Sequence, residues 1–200
     1  MTTPNEGRTA APKQDRRSER ARQAIIDSAL DLCREQGLAR TTVEEIAKRA
    51  GVGKQTIYRW WPSKVAVVEE GINELASTAT DFPDTGDIVA DLRTQMVGVA
   101  TILSSPSFAP YLSLIGAAQD DPELARSFLD GLVKPRVAAA RERLRRAGEQ
   151  GQIRADVDLD DVVELLYGPI YYRALLHTRP PTPGQVDEIL RLVFAGLAPA

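Results

Sequence analysis

The sequence predicts an all-α chain of about nine helices, a short N-terminal group followed by a longer helical bundle. Three observations carry this. Apolar residues recur at spacings of three and four from Ser18 almost to the C-terminus, which is the period of a helix buried on one side. No run reads as a convincing strand, and no segment repeats another. Glycine- and proline-containing stretches separate most of the periodic runs, where they supply turns and caps.

Composition sets the outer limits. The chain has 200 residues, 43% hydrophobic and 26% charged, which suits a soluble globular protein large enough to bury a core. No apolar run reaches the roughly 18 residues of a membrane span. The first twenty residues have charge but no apolar core segment, so they do not read as a secretory signal. The single cysteine, Cys33, has no internal partner, which agrees with a reducing compartment, and a cytoplasmic location is expected. A net charge of -3 hides a division: residues 1–64 carry +5 and residues 65–200 carry -8. A basic first third suggests a segment that meets a polyanion, although such asymmetry also arises without function.

Residues 1–15 are polar and contain Pro4, Gly7 and Pro12, and read as a disordered tail. From Ser18, Ala21, Ile25, Ala29 and Leu32 form one stripe, and Gly37 closes the helix. Thr41 or Thr42 caps a second helix, with Glu44 and Glu45 in its first turn where the dipole favours acids. Ile46, Ala47 and Ala50 face inward and Gly51 ends it. "KQTIYRWW" gives about two helical turns, with Ile57 and Trp61 inward, until Trp61-Pro62 breaks the pattern. Ser63 caps the next helix, striped by Val65, Val68, Ile72 and Leu75.

The bundle follows. Ile88 to Leu103 is a helix with Leu92, Met96, Val99 and Leu103 on one side, ended by "SSPSFAP". Tyr111 to Ala118 is short and apolar. Asp121 and Pro122 start one long helix or a kinked pair, with Pro135 able to bend it and Gly151 ending it. "DVDLDDVVELLYGPIYYRALL" is a helix of high apolar content. After "TRPPTPG", a last helix shows Val186, Ile189, Leu190, Val193, Phe194 and Leu197.

The stretch "GVGKQTIYRWWPSK", residues 51–64, concentrates glycines, cations and both tryptophans. A phosphate-cradling loop would need a glycine where Lys48 stands, Ser or Thr where Gln55 stands, and a preceding strand. All three are missing. Helix, three-residue turn and helix is instead the helix-turn-helix unit, whose second helix enters the major groove with its N-terminal residues at the base edges. Those residues are Lys54, Gln55 and Thr56, which offer a donor to guanine, a bidentate partner for adenine, and a hydroxyl or methyl. Tyr58 and Arg59 lie outside, within reach of phosphates. Thr42 and Lys64 stand at helix N-termini, where backbone amides bind phosphate. The same polar residues would also make an ordinary solvated face, and Ile57 and Trp61 read as core.

These residues resemble the DNA-binding region of TetR-type transcriptional regulators. The usual pattern, T-T-x-x-x-I-A-x-x-A-G-V-S-x-x-T-[IL]-Y-x-[HY]-F-x-x-K, is matched by Thr41, Thr42, Ile46, Ala47, Ala50, Gly51, Val52, Thr56, Ile57, Tyr58 and Lys64. Gly53 replaces the customary serine, so one phosphate-binding hydroxyl is absent. Trp60 and Trp61 replace the usual aromatic ending, with Trp61 in the place of a core phenylalanine and Trp60 where phosphate contact is common. The resemblance covers residues 18–66 strongly and the remainder by helix count, and divides the chain into a tail (1–15), a helix-turn-helix domain (16–64) and a ligand-binding and dimerisation domain (65–200).

What the resemblance implies is a DNA-binding regulator, not an enzyme. It would be a ligand-responsive repressor that binds a palindromic double-stranded operator as a homodimer. The DNA-binding set is then Thr41, Thr42, Gly53, Lys54, Gln55, Thr56, Tyr58, Arg59, Trp60 and Lys64. Candidate dimer residues are Val163, Leu166, Ile170 and Leu175 in the penultimate helix and Ile189, Val193, Phe194 and Leu197 in the last. A small hydrophobic effector would sit among Met96, Val99, Phe108, Tyr111, Leu114, Phe128, Leu132, Tyr167 and Tyr171. Apolar residues at helical spacing also serve as plain core. With His177 as the lone histidine and one cysteine, no metal site and no cofactor are expected. A ligand-independent regulator, and a small helical enzyme with a structural helix-turn-helix, are the other readings.

Overall fold

The computed structural model describes residues 13–77 and 81–197, with side chains from Arg17 onward. The elements are α1 (Lys13–Gln36), α2 (Val43–Ala50), α3 (Lys54–Tyr58), α4 (Lys64–Ala76), α5 (Ile88–Leu103), α6 (Ala109–Ala118), α7 (Pro122–Phe128), α8 (Lys134–Glu149), α9 (Leu159–Leu176) and α10 (Pro183–Leu197). A 3-10 turn (Pro106–Phe108) precedes α6, and a π turn (Leu129–Val133) joins α7 to α8 as one rod. Counted as rods, nine helices and no strand stand among the described residues, which agrees with the predicted all-α fold. No single helix there is long and apolar enough to cross a membrane.

Helices α1, α2 and α3 form the N-terminal unit, with α4 packed along α1. Ile25, Ile26, Ala29, Leu32, Ile46, Ile57, Val68 and Ile72 close its core. Gly71 sits at the α1–α4 crossing: a Cβ there would lie 2.8 Å from Ile26 and 2.9 Å from Leu30, so only glycine lets the two helices approach this closely. Beyond α4, α5 lies against α10, α8 against α9, and α9 against α10, while α6 reaches back to α1 and α4.

Several predicted boundaries hold. Ser63 caps α4, Asp121 and Pro122 open α7, and Gly37 and Gly151 follow helix ends with positive φ. Others shift. The helix predicted from Ser18 starts at Lys13, and of the expected tail, residues 1–12 lie outside the described residues. α3 ends at Tyr58, because the chain must turn before Pro62; the amides of Trp60 and Trp61 both point to the Ile57 carbonyl. The inner face of α4 is Val67, Val68, Gly71 and Ile72, while Val65 is half-buried and Leu75 exposed. α4 also straddles the expected boundary between residues 64 and 65. Pro135 does not bend a regular helix. The backbone instead widens into the π turn just ahead of it, which relieves the clash of the proline ring with the carbonyl four residues back.

Candidate nucleic-acid interface and ligand cavity

α2 begins in a reciprocal capping box: the Glu45 amide donates to Thr42 Oγ1 at 3.2 Å, and the Thr42 amide donates to Glu45 Oε2 at 3.0 Å. It ends at Gly51, whose left-handed backbone (φ 67°) makes the corner into α3. Gly53 is the N-cap of α3, in extended conformation and without a side chain to cap it. Lys54, Gln55, Tyr58 and Arg59 are exposed on one surface and Thr56 is half-buried. Lys54 Nζ rests on Glu44 at 2.7 Å, an exposed pair that solvent screens and that an incoming phosphate or base can replace. The Arg59 guanidinium stacks 4.8 Å from the Trp60 ring, and Trp60 meets Trp61 edge-on with centroids 5.5 Å apart. Trp61 is buried, and Trp60 is half-buried against the core.

Two residues expected on this surface are elsewhere. Thr41 is 0% exposed, and its hydroxyl donates to the Gly37 carbonyl at 2.9 Å, so its side chain closes the α1–α2 turn instead of facing DNA. Lys64 Nζ donates to the carbonyls of Leu38 at 2.8 Å and Thr41 at 2.6 Å. The ammonium is thereby bound to the α1–α2 turn, and α4 is pinned to the domain through it.

Two faces of α4 carry polar clamps, each with residues four apart. Glu70 and Glu74 hold Arg22 of α1, the second at 2.6 Å, and Glu70 also accepts the Trp61 indole N–H at 2.5 Å. On the other face, Glu69 accepts from Ser127 at 3.0 Å, and Asn73 Oδ1 accepts from Arg136 at 3.1 Å. Burial pushes the Glu69 carboxyl above its usual range, with the Ser127 hydrogen bond opposing. A further tie runs from the Leu38 amide to Ser113 Oγ on α6 at 3.1 Å.

A cavity of about 340 Å³ opens among α5, α6, α8, α9 and the π turn. Of the residues expected to line it, Val99, Tyr111, Phe128, Leu132, Tyr167 and Tyr171 do so. Met96 and Leu114 are fully buried core and not among its lining, and Phe108 lines a small neighbouring void of about 30 Å³. Val163 and Leu175, expected at a dimer surface, line the cavity too, Val163 buried and Leu175 still 39% exposed. Sequence reasoning missed Phe82, Gln95, Ile115, Val133, Arg136, Val137 and Ala140. Arg136 was legible as a cation on the inward stripe with Leu132 and Ala140, four residues to either side. The Tyr111 and Tyr171 hydroxyls share a hydrogen bond of 2.9 Å, and Tyr167 donates to Gln95 at 2.5 Å. Burial, with Tyr171 second, raises the Tyr111 and Tyr167 phenols above their ordinary value, so both remain neutral hydroxyls.

The remaining dimer expectations split by register. Leu166, Ile170, Ile189 and Leu197 are buried inside the chain, so they are core, and Val193 and Phe194 are half-buried. The apolar side chains on the outer face of α9 and α10 are Leu165 (60% exposed), Tyr172 (58%), Leu176 (59%) and Leu192 (58%). Leu165 and Leu192 flank one groove between the two helices. No cluster of three or more metal-type ligands occurs among the described residues.

Comparison with known proteins supplies the family. Residues 25–70 match the family described as bacterial regulatory proteins, tetR family, and residues 82–193 match the tetracyclin repressor-like, C-terminal domain. The HTH-type transcriptional regulator YdeS of Bacillus subtilis (strain 168) is 36% identical over 184 residues, spanning 90% of this chain and 91% of that protein. AqdR of Rhodococcus erythropolis, another HTH-type regulator, is 26% identical over 181 residues, 90% of this chain and 86% of its own. Among solved structures, the TetR family transcription regulator SCO0332 superposes with a TM-score of 0.74 at 36% identity, covering 90% of this chain and 99% of that one. The regulator FadR of Bacillus subtilis, solved with stearoyl-CoA, gives 0.70 at 18% identity over 88% of this chain and 98% of that one, a likeness of fold alone. A helix-turn-helix with an exposed recognition helix, joined through α4 to a helical bundle that encloses a cavity, agrees with both matches: this chain belongs to the TetR family and is a DNA-binding transcriptional regulator, not an enzyme.

Proposed function

We propose that the protein is a cytoplasmic, ligand-responsive repressor that binds a palindromic operator as a homodimer. The observation that carries this reading is the cavity whose walls are tied to α4 by hydrogen bonds. An apolar space of about 340 Å³ is bounded by helices that hold α4 through Asn73 and Glu69, and α4 holds the DNA-binding unit through Glu70, Glu74 and Lys64. An occupant that fits one arrangement of these walls better than another shifts the position of α4, and with it the recognition helices. A cavity of this size and lining suits a small ligand.

Lys54, Gln55 and Thr56 supply base contacts in this reading, while Thr42, Gly53, Tyr58, Arg59 and Trp60 meet the backbone. Two copies joined through Leu165, Tyr172, Leu176 and Leu192 present two such surfaces to half-sites roughly 34–36 Å apart. The stearoyl-CoA bound by Bacillus subtilis FadR and the description of FrrA as flavonoid-responsive support a largely apolar effector class for the shared fold.

Sequencing genomic fragments retained by the purified protein tests the DNA half. A palindrome with that spacing is expected, and retention without any common sequence would refute it. Titrating the recovered operator complex with apolar compounds tests the other half: release is expected for compounds that Val99→Trp, which fills the cavity, no longer admits. Release that persists in the filled variant would place the effector elsewhere.

A further inference from the structure

We propose that the effector is a small amphipathic acid whose carboxylate binds Arg136. This deepens the reading of the cavity as the effector site and rests on it. The lining contains one cation, Arg136, and no aspartate or glutamate. Its two hydrogen-bond partners are neutral: the Leu132 carbonyl at 2.5 Å and Asn73 Oδ1 at 3.1 Å. Among the described residues no carboxylate stands within ion-pair distance of the guanidinium. Glu69, one turn earlier on α4, is engaged by Ser127.

A half-buried guanidinium matched only by neutral acceptors is a charge without its counter-charge. In low dielectric that arrangement favours an anion over a neutral guest, because the guest supplies the missing charge and a planar carboxylate fits the guanidinium fork. Tyr111 and Tyr171 border the same cavity, and the one hydroxyl proton not used in their mutual hydrogen bond is a neutral donor for a second carboxylate oxygen. Val99, Ile115, Phe128 and Val137 in the same lining offer apolar surface for the rest of the molecule.

Size narrows the class further. A space of about 340 Å³ accommodates an aryl-substituted or medium-chain carboxylic acid. The position of the charge has a consequence for signalling. A carboxylate on Arg136 meets the same guanidinium that donates to Asn73, so the ligand touches the residue that ties the cavity wall to α4.

Isothermal titration of the full-length protein with 3-phenylpropionate and octanoate, against 3-phenylpropanamide and octanamide, tests the proposal. Each acid should bind wild type at least about tenfold more tightly than its amide, the preference that one charge-assisted contact supports. In Arg136→Gln the preference should fall to about twofold or less with the amide affinity unchanged, and Arg136→Lys should retain part of it. Circular dichroism confirms that both variants remain helical. Amides that bind wild type as well as the acids, or a preference that survives Arg136→Gln, would overturn the charge assignment while leaving the cavity as a site. If neither acids nor amides bind, the effector-site reading fails together with it.

Discussion

Arg136 of α8 donates to Asn73 of α4 across 3.1 Å, so a cavity-lining cation is hydrogen-bonded to the helix that anchors the DNA-binding unit. In the proposed reading, these residues, 63 apart in sequence, join ligand chemistry to DNA geometry. Asn73→Ala removes the tie without changing the cavity wall. Effector affinity should stay close to wild type, while the ratio of operator affinities without and with effector should shrink by about fivefold or more, the lower range of allosteric coupling. Fluorescence anisotropy of a labelled operator, with and without effector, measures both. An undiminished ratio would remove Asn73 from the coupling.

Substitutions at Lys54 and Lys64 should separate the proposed reading of DNA from holding the fold. Lys54→Ala and Gln55→Ala should each weaken specific operator binding roughly tenfold or more, with unchanged thermal unfolding, because both side chains are exposed. Lys64→Ala should instead lower stability by about 1–3 kcal/mol, since it leaves the carbonyls of Leu38 and Thr41 without their ammonium donor. Differential scanning calorimetry and operator titration on the same preparations distinguish the two outcomes. A Lys64→Ala variant of normal stability but weakened DNA binding, with a salt slope lower by about one, would return that residue to the phosphate contacts.

The apolar face of α9 and α10 should set the oligomeric state. Leu165→Asp combined with Leu192→Asp places charges on two exposed positions and should yield a folded monomer with poor operator affinity. Leu166→Asp, one residue along and fully buried, should fail to fold. Sedimentation equilibrium and circular dichroism check the contrast. A double variant that stays dimeric would move the interface to another surface.

Acid should weaken the bundle through Asp91. Burial alone would raise its carboxyl, but hydrogen bonds from Thr85 and from Arg143, at 2.6 Å each, outweigh it and hold the carboxyl below its usual range. A depressed folded value means that this stabilisation is complete above the unfolded value of about 3.9 and is lost as pH falls through the folded one. Asp91→Asn should cost on the order of 3–5 kcal/mol near neutrality, as expected when one partner of a buried pair is removed, and should flatten the acid limb of stability against pH. Chemical denaturation across acidic and neutral pH measures it.

Local chemistry made much of this protein legible in one dimension. Thr42 with Glu45, Gly51, Ser63, Asp121 and Pro122 act on neighbours within a few residues, so the helix boundaries that they set are written in the chain itself. The recognition helix was legible for the same reason: a turn, a short amphipathic segment and a pre-proline stop are contiguous. What periodicity did not decide is which neighbour covers an apolar face. In α9, Val163 and Leu175 turned out to border a cavity, Leu166 and Ile170 to be core, and Leu165 and Tyr172 to face outward. One helical stripe does not record whether a partner helix, a void or solvent lies opposite. Lys64 and Thr41 were misplaced for a related reason, since their partners are backbone carbonyls brought near by the α1–α2 turn. The order of residues along the chain therefore determined the helices and the helix-turn-helix, where interactions are short in sequence. Only the packed structure decided the cavity, its lone cation and the Arg136–Asn73 link, because these depend on side chains that meet only after the helices have closed on one another.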